Sequence, residues 1–316
     1  MNVLVCQPVT EAMKTRFAAA FPGHQFIYDE HPAPALFAWA QAIFGFPEPD
    51  MLPLAKELRF VQLCSAGAEK YNSVVQKDVP LCCTTGIFGR EIAEVLLGFV
   101  LSLYKHLPIY RDHQSAHQWA FHAFNRPLSG SNALILGLGD IGRSFAGLLQ
   151  PFGCTITGMR RIHGCCPPGV DHLICMDELD AVLPAADIVA LCLPETAETR
   201  HIMDRKRIFS MKKGSVLLNV GRGSAVDTAA LFDGLTCGQL SGAALDVTDI
   251  EPLPPEHPLW TLDNLLITPH TAGRSYSPYI IESTGDVFVE NFSAFLEGRP
   301  LKTPVDRETG YMVSRP

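Results

Sequence analysis

Three glycines at fixed spacing, Gly137, Gly139 and Gly142, carry the clearest chemical signal in the chain. They lie in Ala133-Leu134-Ile135-Leu136-Gly137-Leu138-Gly139-Asp140-Ile141-Gly142. The apolar run before them reads as a strand buried on both faces, and Arg143 to Gln150 follows with helical spacing. In a strand–turn–helix each glycine has its own task. Gly137 permits the tight turn, Gly139 lets the backbone approach a pyrophosphate, and Gly142 lets the helix pack close to the strand. The helix N-terminus then offers unpaired N–H groups and the positive end of its dipole. The pattern predicts a dinucleotide site built from Gly137, Leu138, Gly139, Asp140, Ile141 and Gly142.

The next strand of such a unit ends near the adenosine ribose, where an Asp or Glu would accept from the 2′-hydroxyl and repel a 2′-phosphate. Here the strand ends Gly158-Met159-Arg160-Arg161, with two guanidiniums and no acid. Planar guanidinium forks suit phosphate, so Arg160 and Arg161 predict NADP(H) in preference to NAD(H).

The elements that must hold these residues follow an α/β rhythm. Residues 2–7 read as a strand, Thr10 to Phe21 as a helix, and Phe26–Tyr28 and Phe60–Cys64 as further strands. Leu36 to Phe46 is rich in alanine and aromatics. A long apolar-striped helix runs from Gly89 to His106; its hydrophobicity suggests packing between domains or subunits. Residues 112–130 read as an irregular aromatic arm suited to an oligomer contact. After the glycine turn, apolar runs at 155–159, 188–193, 215–220, 242–246 and 265–268 give the rhythm of a doubly wound parallel sheet. A final helix, about Ser277 to Glu297, is expected to return to the first unit.

The whole chain limits the alternatives. Its 316 residues suffice for two domains with cores. A net charge of −8 argues against a nucleic-acid partner. No apolar run reaches the ~20 residues of a membrane span, and the N-terminus lacks a secretory pattern, so a cytoplasmic location is expected. The ten cysteines show no metal-ligand spacing and read as reduced thiols, with no metal expected.

At Asn219-Val220-Gly221-Arg222-Gly223, Asp246-Val-Thr-Asp-Ile-Glu251-Pro252 and Thr268-Pro269-His270-Thr271-Ala272-Gly273, the chain resembles the D-2-hydroxyacid dehydrogenase family. Ser65-Ala66-Gly67-Ala68 and Leu193-Pro194 with Glu198-Thr199-Arg200 extend the resemblance, and Pro258-Leu259-Trp260 looks like the glyoxylate/hydroxypyruvate reductase branch. The resemblance implies a Rossmann-type doubly wound domain, 101–275, inserted into a smaller flavodoxin-like α/β substrate domain made of 1–100 and 276–316. It also implies an active site in the cleft between them and a homodimer formed through the cofactor domain.

The same resemblance implies residue roles. His270 is the acid/base, a task for which imidazole is the usual side chain. Glu251 is the carboxylate that pairs with it, and Arg222 grips the carboxylate and keto oxygen of the substrate. The backbone of Ala66 and Gly67 receives the substrate carboxylate. Leu193, Pro194, Thr199 and Val220 line the cofactor, with Thr196 beside them, and Asp246 receives the nicotinamide carboxamide. The implied reaction is reduction of a 2-keto acid to a D-2-hydroxy acid by hydride transfer.

Departures and rivals bear on that reading. Glu69 stands where the family more often has Asp. Trp39, Phe44, Phe46 and Trp119 are candidates for an apolar wall that would admit substrates larger than glyoxylate; core packing is their other use. Formate dehydrogenases resemble this pattern but carry Gln in place of Glu251. Corepressors of the C-terminal binding protein type keep the motifs but add tails for partners.

Overall fold

The apolar runs of the sequence form two separate parallel sheets in the computed structural model, which describes residues 1–162, 164–273, 277–307 and 310–312. The chain divides into Met1–Ile87 with Tyr276–Pro316, and Phe88–Ser275.

In the first unit β1 (Asn2–Cys6), α1 (Glu11–Ala20), β2 (Gln25–Tyr28), α2 (Pro34–Trp39), β3 (Ala42–Gly45), β4 (Phe60–Leu63) and β5 (Leu81–Cys82) alternate along the chain. The parallel order is β2-β1-β3-β4-β5, which is the flavodoxin order. β3 lies in the alanine- and aromatic-rich stretch; all four of its residues are buried, so no alternation of polar and apolar residues marks it.

The second unit begins with α3 (Gly89–Tyr104) and α4 (Leu107–Ser115). It continues through β6 (Asn132–Leu136), α5 (Asp140–Leu149), β7 (Thr155–Met159), β8 (His172–Ile174), α6 (Leu179–Val182) and β9 (Ile188–Leu191). It ends with α7 (Arg205–Ser210), β10 (Ser215–Asn219), α8 (Thr228–Thr236), β11 (Leu240–Leu245) and β12 (Leu265–Ile267). The parallel order β12-β11-β10-β9-β6-β7-β8 is the Rossmann order with one strand added at the end. Within the first unit α9 (Pro278–Leu296) returns as expected, stacking Phe288 on Phe44 at 4.6 Å and on Phe292 at 5.1 Å between ring centroids.

Two expectations change. One stripe of α3 packs within its own unit, where Ile92, Ala93, Leu96, Phe99 and Val100 join Ile135, Leu138 and Phe145 in one apolar core. That packing also moves the expected boundary from residue 100 to the start of α3, since a helix buried along one stripe belongs whole to the core it fills. The aromatic arm is helical up to Ser115, and only the stretch beyond it is irregular. No single helix among the described residues is long and apolar enough to cross a membrane.

The strands' C-terminal ends carry the residues of interest. The glycine turn follows β6, Arg160 follows β7, Leu193 follows β9, Val220 follows β10, Asp246 follows β11, and His270 follows β12. In the first unit the Ser65–Ala68 turn follows β4 and Phe46 follows β3. Trp39 lies at the opposite edge, its carbonyl accepting from the Asn2 side chain at 3.1 Å, and Phe44 is buried against Phe288. Neither belongs to an apolar wall at the C-terminal edge.

Candidate active site

The glycine turn has the stereochemistry its sequence demands. Gly137 adopts φ +98°, and a Cβ there would stand 2.7 Å from the Cys192 carbonyl oxygen. A Cβ on Gly142 would overlap the Gly137 carbonyl, so helix and strand meet with no room to spare. Gly139 differs: nothing lies within 4 Å of where its Cβ would be. A bare backbone facing open space, beside the free N–H groups that begin α5, is the cradle a pyrophosphate requires. Leu138 is buried and fills the space above Gly158, while Ile141 is partly buried against the same core. The side chain of Asp140 turns away, its Oδ2 accepting the Gly89 N–H at 2.8 Å.

Two further loops border this turn. Arg160 donates from Nη2 to the Leu138 carbonyl at 3.5 Å, and its own N–H is held by the Ile174 carbonyl at 3.0 Å. Arg161 is exposed, and its charge helps hold the Glu198 carboxyl below its ordinary pKa, after hydrogen bonds from the backbone and Thr196. After β9 the loop is braced internally. Thr199 Oγ1 donates to the Pro194 carbonyl at 2.7 Å and accepts the Thr196 N–H at 2.8 Å. Leu193 and Val220 are buried, and a Cβ on Gly221 would stand 2.5 Å from the Leu193 carbonyl oxygen.

His270 and Glu251 meet directly, Nδ1 to Oε2 at 2.8 Å. An ionised carboxylate only accepts, so Nδ1 carries a hydrogen and Nε2 is the nitrogen left for proton exchange. His270 holds φ +52°, a region non-glycine residues rarely adopt. Asp246 explains why it persists. Its carbonyl accepts the His270 N–H at 2.8 Å; its carboxylate accepts the Thr268 hydroxyl at 2.5 Å and the Thr271 and Ala272 N–H groups at 2.8 and 3.0 Å. The structure therefore gives Asp246 a task the motif did not announce, fixing the loop that bears His270.

Arg222 sits on a turn locked by Asn219, whose Nδ2 donates to the Arg222 carbonyl at 2.8 Å and whose Oδ1 accepts the Gly221 N–H at 3.0 Å. The turn abuts the Glu251 loop at Gly223, where any Cβ would overlap the Thr248 carbonyl. Thr248 N–H in turn donates to Glu251 Oε1 at 3.2 Å. Arg222, Glu251 and His270 thus stand on three loops tied to one another. Asn219, Gly223 and Thr248 do the tying, and only a polar residue at a buried strand end and a glycine without a turn to make could have pointed to them.

Residues 97–272 match the family model described as D-isomer specific 2-hydroxyacid dehydrogenase, NAD binding domain. The chain belongs to this family. The protein is accordingly an oxidoreductase acting on CH–OH donors, with a nicotinamide-dinucleotide domain. It is 31% identical over 252 residues to the glyoxylate/hydroxypyruvate reductase A of Arabidopsis thaliana, covering 78% of each chain. Among solved structures, a D-isomer specific 2-hydroxyacid dehydrogenase family protein of Aeromonas salmonicida matches with TM-score 0.86 and 32% identity, over 97% of this chain and 99% of that one. The NADPH-dependent glyoxylate/hydroxypyruvate reductase of Sinorhizobium meliloti, solved with NADP and sulfate, matches with TM-score 0.80 and 25% identity, over 98% and 99%.

Within the first unit of this dehydrogenase, taken by itself, one turn stands out. The Ser65 hydroxyl donates to the Gly67 carbonyl at 2.7 Å, tightening the Ser65–Ala68 turn. Among the described residues, the N–H groups of Ala66 and Gly67 have no acceptor, whereas the Ala68 N–H is taken by the Gly310 carbonyl at 2.9 Å. The turn therefore carries two neighbouring N–H donors not engaged by the described backbone.

Proposed function

We propose that this dehydrogenase reduces a small 2-keto acid of the glyoxylate/hydroxypyruvate type to the D-2-hydroxy acid, with NADPH favoured over NADH. The His270–Glu251 pair carries the reading, because it leaves Nε2 of His270 as a defined proton donor. Reduced nicotinamide, when bound, supplies the hydride to the keto carbon. His270 delivers a proton from Nε2 to the carbonyl oxygen, and Glu251 stabilises the imidazolium that stands ready to do so. Arg222 holds the substrate carboxylate and keto oxygen through its guanidinium fork. The amides of Ala66 and Gly67 take the carboxylate in the first unit. In the reverse direction His270 accepts the hydroxyl proton. A metal ion has no part in this scheme.

The cofactor preference is supported by Arg160 and Arg161 at the end of β7, where no acid stands to repel a 2′-phosphate. The Sinorhizobium relative, named NADPH-dependent, supports it as well. We further propose that the enzyme acts in the cytoplasm, as a homodimer.

The test follows NADPH or NADH absorbance with glyoxylate, hydroxypyruvate, pyruvate and phenylpyruvate. Turnover with NADPH preferred is expected, together with loss of that preference in Arg160→Ala/Arg161→Ala. Preference for NADH would overturn the arginine argument and leave the proton chemistry intact. Tight cofactor binding without turnover of any keto acid would overturn the reductase reading itself.

A further inference from the structure

Asp140 puts a negative charge at the helix end that faces a bound dinucleotide's phosphates. It is the first residue of α5, the helix end on which a dinucleotide's pyrophosphate rests in a Rossmann unit. A carboxylate aimed the same way would set like charges a few ångströms apart. Instead Oδ2 accepts the Gly89 N–H at 2.8 Å, so the carboxylate is turned onto the beginning of α3. That helix is 16 residues long and presents the positive end of its dipole to the charge.

Two features make this placement specific. Residue 89 has no side chain, and a Cβ there would lie 2.5 Å from Asp140 Cγ and Oδ1. Arg143, about one helical turn further on, has a different partner: its Nε donates to the Gly139 carbonyl at 3.2 Å. The negative charge leaves the glycine turn and a positive one stays beside it. Neither arrangement follows from the motif, in which position 140 is free to vary.

We propose that Gly89 and the α3 N-terminus form a parking site for the Asp140 carboxylate, making Asp140 a positioning residue that sets cofactor affinity through where its charge is held. The inference rests on the nucleotide-binding role of the domain, not on the keto-acid or NADPH readings.

The experiment measures NADH and NADPH dissociation constants by calorimetry at several ionic strengths, without substrate. Asp140→Asn keeps an acceptor for Gly89 and drops the charge; it is the uncharged reference, and its affinity should change with salt no more steeply than that of the wild type. Asp140→Glu is one methylene too long for the site and returns the charge to the turn. Its binding should weaken about fivefold or more at low salt, as like charges near 4 Å require, and recover as salt rises. Asp140→Gln has the same length without the charge and should show no salt-dependent loss. Equal weakening of Glu and Gln variants at every ionic strength, or wild-type binding by Asp140→Glu, would overturn the proposal. Should Asp140→Glu fail to fold, Gly89→Ala decides: its weakened, salt-dependent binding should be restored by adding Asp140→Asn, and no restoration refutes the parking site. Wild-type protein that binds neither nucleotide would instead overturn the nucleotide-binding assignment, and the wild-type titration reports that separately.

Discussion

Gly223 and Thr248 occupy a space that admits no side chain between them: a Cβ on Gly223 would coincide with the Thr248 carbonyl group. This contact joins the turn bearing Arg222 to the loop bearing Glu251, and both neighbours are backbone, which cannot rotate aside as a side chain would. Gly223→Ala should therefore cost about 1–3 kcal/mol of stability, the range for overpacking a tight interior. It should also lower kcat/KM by more than that stability loss implies at assay temperature, since two loops of the site separate. Thermal melts alongside keto-acid kinetics check both; an alanine variant with wild-type kcat/KM would show that the contact does not position the site.

Glu251 meets His270 through Oε2, while its Oε1 accepts the Thr248 N–H. Glu251→Gln preserves shape but replaces a charged acceptor with a neutral amide, which no longer stabilises an imidazolium. The expected result is a fall in kcat of roughly 10- to 100-fold with cofactor affinity unchanged. His270→Ala removes the proposed proton donor and should lose about 10²–10⁴-fold, the usual worth of general acid catalysis. Steady-state kinetics paired with cofactor titration checks both; unchanged kcat in either variant contradicts the assigned roles.

How much of this was legible beforehand depends on how local each constraint is. The glycine turn could be read because its geometry is set within six consecutive residues, and Gly137 and Gly142 adopt the roles their spacing implies. The pairing of Glu251 with His270 was legible only through the family pattern, since nothing in either residue's neighbours requires the other. Asp140 looked like a cofactor residue because the motif describes its backbone; its side chain answers to Gly89, far away in sequence on another helix. The task of Asp246 in holding the His270 loop was hidden for the same reason: its carboxylate accepts from a loop that returns only after β12. β3 escaped notice because a strand buried on both faces shows no alternation. The hydrophobicity of α3 was legible, but whether it faces its own core or a neighbour depends on α5, which only the folded chain reveals.

Asp187 supplies the clearest pH dependence of stability. Burial alone would raise its pKa, but the Asn132 N–H at 2.9 Å, Lys212 at 2.7 Å and Arg126 together outweigh it, and the net shift is downward. A folded pKa below the unfolded one means the stabilisation is complete above the unfolded value, near 4, and is lost as pH falls through the folded value. Asp187→Asn should lower stability at pH 7 by about 1.5–3 kcal/mol, the range for hydrogen bonds to charged groups. It should also flatten the acid side of the stability curve. Denaturant melts of both proteins between pH 3 and pH 7 check this, and parallel curves would contradict it.

The aromatic arm offers the sharpest test of assembly. Trp119, Phe121 and Phe124 lie within six residues and are almost wholly solvent-exposed, at 106%, 70% and 88%. Phe121 and Phe124 contact only each other among the described rings, edge to face at 5.3 Å. Isolated exposed apolar residues need no explanation, but three large rings on one irregular segment form a patch that water disfavours. Burial against the same segment of a second copy would remove it, and a symmetric dimer is the usual way a chain does so. The wild-type protein should then show twice the 34.6 kDa chain mass by light scattering. Replacing all three rings by serine should yield monomer while leaving the melting temperature of the fold nearly unchanged, because none of the three contributes to a core. A wild-type monomer, or a dimer that survives the triple substitution, would remove the arm from the interface.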